Sequence, residues 1–249
     1  MQSEQITYAA PTGKPLGTNA TFNICATILI PVLNAITKRT WQGKENIPQT
    51  GPAIVISNHL SYADVLFFAQ FLYKNGRAPR FIGKRSVFNV PVIGRILLAA
   101  GQIPVDREST HASKALDHAV AALKAGHLIG IYPEGTRSPD GRLYKGRTGI
   151  ARMAIESGAP IIPVAMFNTA EIQPTGQVVP KVQRVEMVFG EPIYLTGDPT
   201  DQELLRKETN KIMETIAALS KQEYVPNMYA SDAKDAIKKS QLEESEEEE

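Results

Sequence analysis

Asn58-His59 and Asp64, which follows the histidine by five positions, have the types and spacing of a proton-transfer unit. Five positions are about 140° around an ideal helix, so the imidazole and the carboxylate do not share one helical face. They meet only if His59 lies ahead of a helix that Ser61 caps and whose first turn holds Asp64, the chain bending there so that the ring folds back over the carboxylate. Such a pair is a general base: the carboxylate fixes the tautomer and stabilises the imidazolium, while the other ring nitrogen takes a proton from a hydroxyl. Ser-x-x-Asp before an apolar run is also an ordinary helix start. In that reading Asp64 only caps and His59 is a polar loop residue; the stretch alone leaves both open.

A second cluster, Glu134-Gly135-Thr136-Arg137, has the make-up of an anion site. Glycine lets backbone N–H groups approach an anion, threonine adds a hydroxyl donor, and arginine offers a fork matched to phosphate. The alternative is a tight turn held by a structural Glu–Arg pair. Neither cluster contains a nucleophile elbow of the Gly-x-Ser-x-Gly kind. With four histidines, one cysteine and no metal-ligand spacing, no metal is expected.

Both clusters follow apolar runs, Ala53-Ile54-Val55-Ile56 and Leu128-Ile129-Gly130-Ile131-Tyr132, that read as buried strands. Their loops then emerge at one edge of a sheet, where open α/β folds bind ligands. The remaining pattern alternates in the same way. Helices are expected near 61–73, 110–125, 148–156 and 200–219, and strands near 79–83, 103–105, 161–167 and 184–189. Val87–Ala100, with Pro91 and Gly94, is expected to be a two-piece helix. The fold class is α/β: a central, mostly parallel sheet flanked by helices.

Three regions follow. Residues 1–40 form a polar lead-in and an apolar, membrane-associating helical element, 41–229 the main domain, and 230–249 a disordered acidic tail. Thr21–Ile36 is strongly apolar but interrupted by Asn23, Pro31 and Asn34, and falls short of the roughly 20 residues a bilayer span needs. It reads equally as an interfacial helix pair or as a helix packed in the core. The net charge of +1 conceals an asymmetry, since the last seven residues carry six glutamates and the rest keeps 27 basic residues against 20 acidic ones. Val65 to Val105 has no acid but contains Lys74, Arg77, Arg80, Lys84, Arg85 and Arg95. Such a field suits a phosphate-bearing or anionic-lipid partner, although solvated helix faces also produce it. The aromatic and aliphatic residues of the stretch (Phe67, Phe68, Phe71, Phe81, Phe88, Ile96, Leu97, Leu98) serve either as core or as the lining of an acyl groove.

Taken together, Asn58-His59 with Asp64, Gly101-Gln102-Ile103-Pro104-Val105-Asp106-Arg107, Glu134-Gly135-Thr136-Arg137 and Ala159-Pro160-Ile161-Ile162-Pro163-Val164 stand in the order of the four blocks of the PlsC-type glycerolipid acyltransferases, which the chain resembles from about Trp41 to Tyr224. The resemblance implies transfer of a fatty acyl group from acyl-CoA or acyl-ACP, as co-substrate and with no other cofactor, to a free hydroxyl on a glycerol phosphate backbone. It implies His59 as base, Asp64 as its orienting partner, Arg137 with Gly135, Thr136 and Arg107 around the phosphate, and Glu134 fixing the loop. Oxyanion donors are not assigned by it; Asn58 or backbone N–H groups near His59 are the candidates, Asn58 otherwise serving as support. The expected acceptor is 1-acylglycerol-3-phosphate, with glycerol-3-phosphate or a non-catalytic anionic-lipid-binding module as alternatives. The expected place is the cytoplasmic face of the cell membrane, on an anionic surface, with no nucleic acid partner. Pro104-Val105 stands where bulkier apolar pairs are usual in the family, which leaves the acceptor's shape open.

Overall fold

In a computed structural model of the chain, which describes residues 15–106, 112–170 and 183–247, the alternating pattern becomes a seven-stranded sheet between two layers of helices. The chain runs through helix α1 (Ala20–Ile36), strands β1 (Thr37–Gln42) and β2 (Ala53–Ser57), helix α2 (Asp64–Lys74), strand β3 (Pro79–Lys84), short helices α3 (Arg85–Phe88) and α4 (Ile93–Ala99), and strand β4 (Ile103–Val105). Then come helix α5 (Ala112–Lys124), strands β5 (Leu128–Ile131) and β6 (Leu143–Tyr144), helix α6 (Gly149–Ser157), strands β7 (Ile161–Phe167) and β8 (Gln183–Phe189), helix α7 (Gln202–Ser220), strand β9 (Tyr224–Val225) and helix α8 (Ala230–Glu247). The order across the sheet is β1-β8-β7-β2-β5-β3-β4, with β7 through β4 parallel to one another and β8 antiparallel to β7. Strand β1 runs parallel to β8 at the other edge.

Strand β2 is buried along its whole length, as its unbroken apolar run requires of a strand covered on both faces. Val55 turns to a core shared with Phe67, Phe68 and Phe71 of α2, while Ile54 and Ile56 face a second core built with α5, α6 and α7. Pairing Ile56 with Ile131 brings the ends of β2 and β5 level, so both polar loops leave the same edge.

Several expectations change. The proposed boundary at residue 40 falls inside β1, an integral edge strand of the main sheet. The tail expected to be disordered continues as α8 to Glu247, and α7 is therefore not the last helix. Ala230 and Ala233 of α8 are buried against Tyr144, a contact that mean composition hides because two small residues carry it. The expected N-terminal helix pair is one continuous helix among the described residues, with Pro31 inside it. Its polar interruptions turn towards α2: Asn23 Oδ1 accepts from the Tyr73 hydroxyl at 2.9 Å, and Asn34 Oδ1 accepts from Gln70 Nε2 at 2.9 Å and Lys74 Nζ at 3.3 Å. Ile24, Ile28 and Val32 are exposed on the same helix. No helix among the described residues is long and apolar enough to cross a membrane. The two-piece helix at 87–100 appears as α3 and α4. Gly94 is required there because a Cβ would lie 1.8 Å from the Phe88 carbonyl oxygen.

Candidate active site

The chain leaves β2 at Ser57, and its next residue locks the exit. Asn58 Nδ2 donates to the Met166 carbonyl at 3.1 Å and to Gln222 Oε1 at 2.9 Å, while its Oδ1 accepts from the Met166 N–H at 2.8 Å. Both donor hydrogens are committed inside the protein, an arrangement that suits the support role considered for Asn58. His59 then turns back, and its Nδ1 lies 2.8 Å from Asp64 Oδ2. That oxygen also accepts the N–H groups of Leu60 at 2.7 Å and Ser61 at 2.8 Å. With two backbone N–H groups already donating to it, Oδ2 is placed to accept from Nδ1 as well, which fixes the ring and leaves Nε2 as the nitrogen without that partner. Helix α2 starts at Asp64, so Ser61 precedes the cap; its Oγ accepts the Ala63 N–H at 3.2 Å.

The N–H groups of residues 59, 60 and 61 are all occupied, His59 N donating to Glu134 Oε1 at 3.3 Å. Those three N–H groups are therefore not free for an oxyanion. The amides of Thr136 and Arg137, by contrast, find no acceptor among the described residues.

Glu134 is the fastener between the two clusters. It is 1% exposed, and its second oxygen accepts the Tyr144 N–H at 3.0 Å. Burial pushes its carboxyl up to about 8, opposed by those two backbone N–H groups and reinforced by the negative charges of Asp64 and Asp140. A further clasp runs from Ser138 N–H to the His59 carbonyl at 2.8 Å. Gly135 turns the loop at φ +78°, a conformation glycine adopts at no steric cost.

Arg137 lies over the exposed ring of Tyr62, its guanidinium carbon 3.4 Å from the ring centroid. The stack occupies one guanidinium face and leaves the N–H edge available to an anion. Thr136 is half-buried beside it. Arg107 falls outside the described residues. The structure thus brings His59, Asp64, Glu134, Gly135, Thr136 and Arg137 together at one sheet edge.

Two aromatic neighbours escaped the sequence reading. Tyr62 is one. The other is Tyr132, whose ring stacks on His59 with centroids 4.0 Å apart and planes 16° from parallel. The Tyr132 hydroxyl is buried without a partner, and burial with the nearby Asp64 charge holds its pKa well above the ordinary value. Tyr132 closes β5 in sequence, so it was legible as a strand residue, but only the register of β2 with β5 puts it under the imidazole.

The apolar residues considered for an acyl groove divide. Phe67, Phe68 and Phe71 are core residues. Phe81, Ile96 and Leu97 line a cavity of about 190 Å³ between α1, α2 and α4, together with Cys25, Leu29, Val65 and Leu66 among others. Val65 and Leu66 belong to the first turn of α2, which also holds Asp64.

The chain is similar to several known proteins. A family model described as Acyltransferase matches residues 38–167. A chloroplastic 1-acyl-sn-glycerol-3-phosphate acyltransferase of Brassica napus is 32% identical over 182 residues, covering 72% of this chain and 51% of that protein. One from Bacillus subtilis is 28% identical over 177 residues, covering 70% and 82%. The crystal structure of the 1-acyl-sn-glycerophosphate acyltransferase PlsC from Thermotoga maritima superposes with a TM-score of 0.63 at 25% identity, covering 80% of this chain and 79% of that one. The chain spans about half the length of the Brassica napus relative. With the family match covering more than half of its residues and the parallel sheet shared with a solved relative, this chain belongs to the acyltransferase family.

Proposed function

We propose that the protein transfers a fatty acyl group from the thioester of acyl-CoA or acyl carrier protein to the free hydroxyl of 1-acylglycerol-3-phosphate, forming phosphatidate. The observation that carries this reading is the pairing of His59 Nδ1 with Asp64 at 2.8 Å beside a loop whose arginine has no acidic partner among the described residues. The acceptor's phosphate binds Arg137, with Gly135 and Thr136 closing around it, and this holds the hydroxyl at Nε2 of His59. Proximity and proton removal together account for the rate, since a bound hydroxyl attacks the thioester carbonyl as His59 takes its proton. The carbonyl carbon becomes tetrahedral, the thiol departs, and the proton on His59 is available to the thiolate. The uncommitted amides of Thr136 and Arg137, in the loop tied to His59, suit the oxyanion.

The acyl chain lies in the cavity between α1, α2 and α4. Ile24, Ile28 and Val32 of α1 are exposed, as are Val92, Ile93 and Leu98 in and beside α4, and Asn19 Nδ2 donates to the Ala99 carbonyl at 2.8 Å to hold the two helices together. Lys84, Arg85 and Arg95, in and beside α3 and α4, are exposed. An apolar face rimmed by cations suits the surface of an anionic membrane, on the cytoplasmic side where acyl-CoA and carrier protein are found.

Acyl transfer assayed with both thioesters, and with 1-acylglycerol-3-phosphate and glycerol-3-phosphate as acceptors, tests the proposal. Turnover should be highest on the lysophospholipid and fall by about 100-fold or more in His59→Ala. Unchanged turnover in His59→Ala overturns the proposed role, and vesicle binding with no transfer to any acceptor makes the protein a lipid-binding module.

A further inference from the structure

The motifs leave out one cation that the fold places against the Gly135 turn. Arg147 donates its backbone N–H to the Pro133 carbonyl at 2.9 Å, so it is tied to the same loop. Its stem lies across Gly135: a Cβ at that position would stand 3.1 Å from Arg147 Nε and 3.5 Å from Cδ. We propose that Arg147 is the second arm of the anion clamp, holding the acceptor's phosphate monoester together with Arg137. This inference rests on the acceptor reading given above and adds a residue to it.

Three observations carry it. First, the two arginines are presented alike. Arg137 lies over Tyr62 at 3.4 Å and Arg147 over Tyr229 at 4.8 Å, so each planar cation has an aromatic platform that steadies it while sparing its donor edge. The second platform is itself fixed, because Arg206 donates to the Tyr229 hydroxyl at 3.3 Å and to the Gly146 carbonyl at 2.8 Å.

Second, the charges here are unbalanced. Arg142 pairs with Asp140 and Glu223, and Arg152 with Asp117 and Glu156. Among the described residues no acid pairs with Arg137 or Arg147, nor with Lys145, whose Nζ lies over the same Tyr229 ring at 5.2 Å. Like charges gathered without a counter-charge repel one another, and a bound anion relieves that repulsion.

Third, the ligand needs two arms. A phosphate monoester carries a charge of about −1.5 to −2 near neutral pH and three terminal oxygens. One guanidinium fork takes two oxygens and one unit of charge, so a second arginine completes both the charge and the oxygen count.

The test measures initial rates with acceptor and thioester titrated separately for Arg137→Ala, Arg147→Ala, Arg147→Lys and the double alanine variant. Arg147→Ala should raise the acceptor's KM by about 10- to 100-fold, with kcat and the thioester's KM nearly unchanged. Arg147→Lys should recover part of the loss, and the double variant should depart from the product of the two single effects because both arms hold one phosphate. A rise confined to the thioester's KM would place Arg147 at the donor and overturn the inference. Unchanged constants in Arg147→Ala, with Arg137→Ala still impaired for acceptor, would defeat it while sparing the acceptor reading. If neither single variant alters acceptor KM, the acceptor reading falls and takes this inference with it. Arg147→Lys, which keeps the charge and the stem, serves where the alanine variant does not fold.

Discussion

Glu134 shows how one buried acid sets the geometry of two loops. Its pKa of about 8 exceeds the ordinary carboxylate value because burial outweighs the N–H groups of Tyr144 and His59. The folded protein therefore binds a proton that the unfolded chain releases near 4.5, and this contribution to stability is complete below 4.5 and is lost as pH rises towards 8. Between those limits the loss approaches about 1.4 kcal/mol per pH unit. Glu134→Gln should flatten the decline in stability measured by denaturation between pH 5 and 8, and should itself cost about 1–3 kcal/mol, since one backbone N–H then faces an amide NH₂. Residue types and order were enough to read His59, Asp64 and the Glu134–Arg137 loop from the sequence, because a base pair and an anion turn each have a chemical signature. Tyr62, Tyr132 and Arg147 were not legible, because a stacked ring or a stem laid across a glycine exists only once distant segments meet.

Helix α1 shows the same limit one level up. Asn23, Pro31 and Asn34 read as interruptions in an apolar segment, yet the two asparagines bond to Tyr73, Gln70 and Lys74 of α2 and fix which way the helix faces. Ala26 and Leu33 are its buried residues, while much of its remaining apolar surface is exposed, with Ile28 at 63%, more than a helix on a globular domain usually leaves uncovered. Ile28→Glu should leave thermal stability nearly unchanged, because the side chain packs against little. It should sharply reduce co-sedimentation with vesicles containing anionic lipid, and retained binding would move the membrane contact elsewhere. Strands β2, β5 and β7 were readable because their short apolar runs are bounded by turn residues and alternate with helical patterns, whereas β6 and β9, two residues each, leave no such pattern. Helix α8 was not readable either, since Ala230 and Ala233 anchor an otherwise charged segment.

Across the whole molecule the sheet separates chemistry from support. The candidate site residues gather where β2 and β5 end, while the opposite edge, where those strands begin, is held by Arg77, 1% exposed. Its guanidinium donates to the carbonyls of Pro48, Gly51 and Gly126, three loop residues ahead of β2 and β5. Burial lowers its pKa to about 10, still far above neutrality, so the cation remains charged. Arg77→Met should cost about 2–5 kcal/mol by leaving buried carbonyls unpaired. The fraction that remains folded should keep its kcat; a large loss in kcat per folded molecule would show that the two edges are coupled.

The cavity between α1 and α4 is bordered by exposed aliphatic side chains, so an entering fatty chain passes from one oily phase to another and its tail need not be wetted on the way. Reaction speed should then follow the mole fraction of acceptor within a mixed micelle or leaflet. At fixed enzyme and acceptor, diluting that interface with inert detergent should slow turnover even though the bulk molarity is constant.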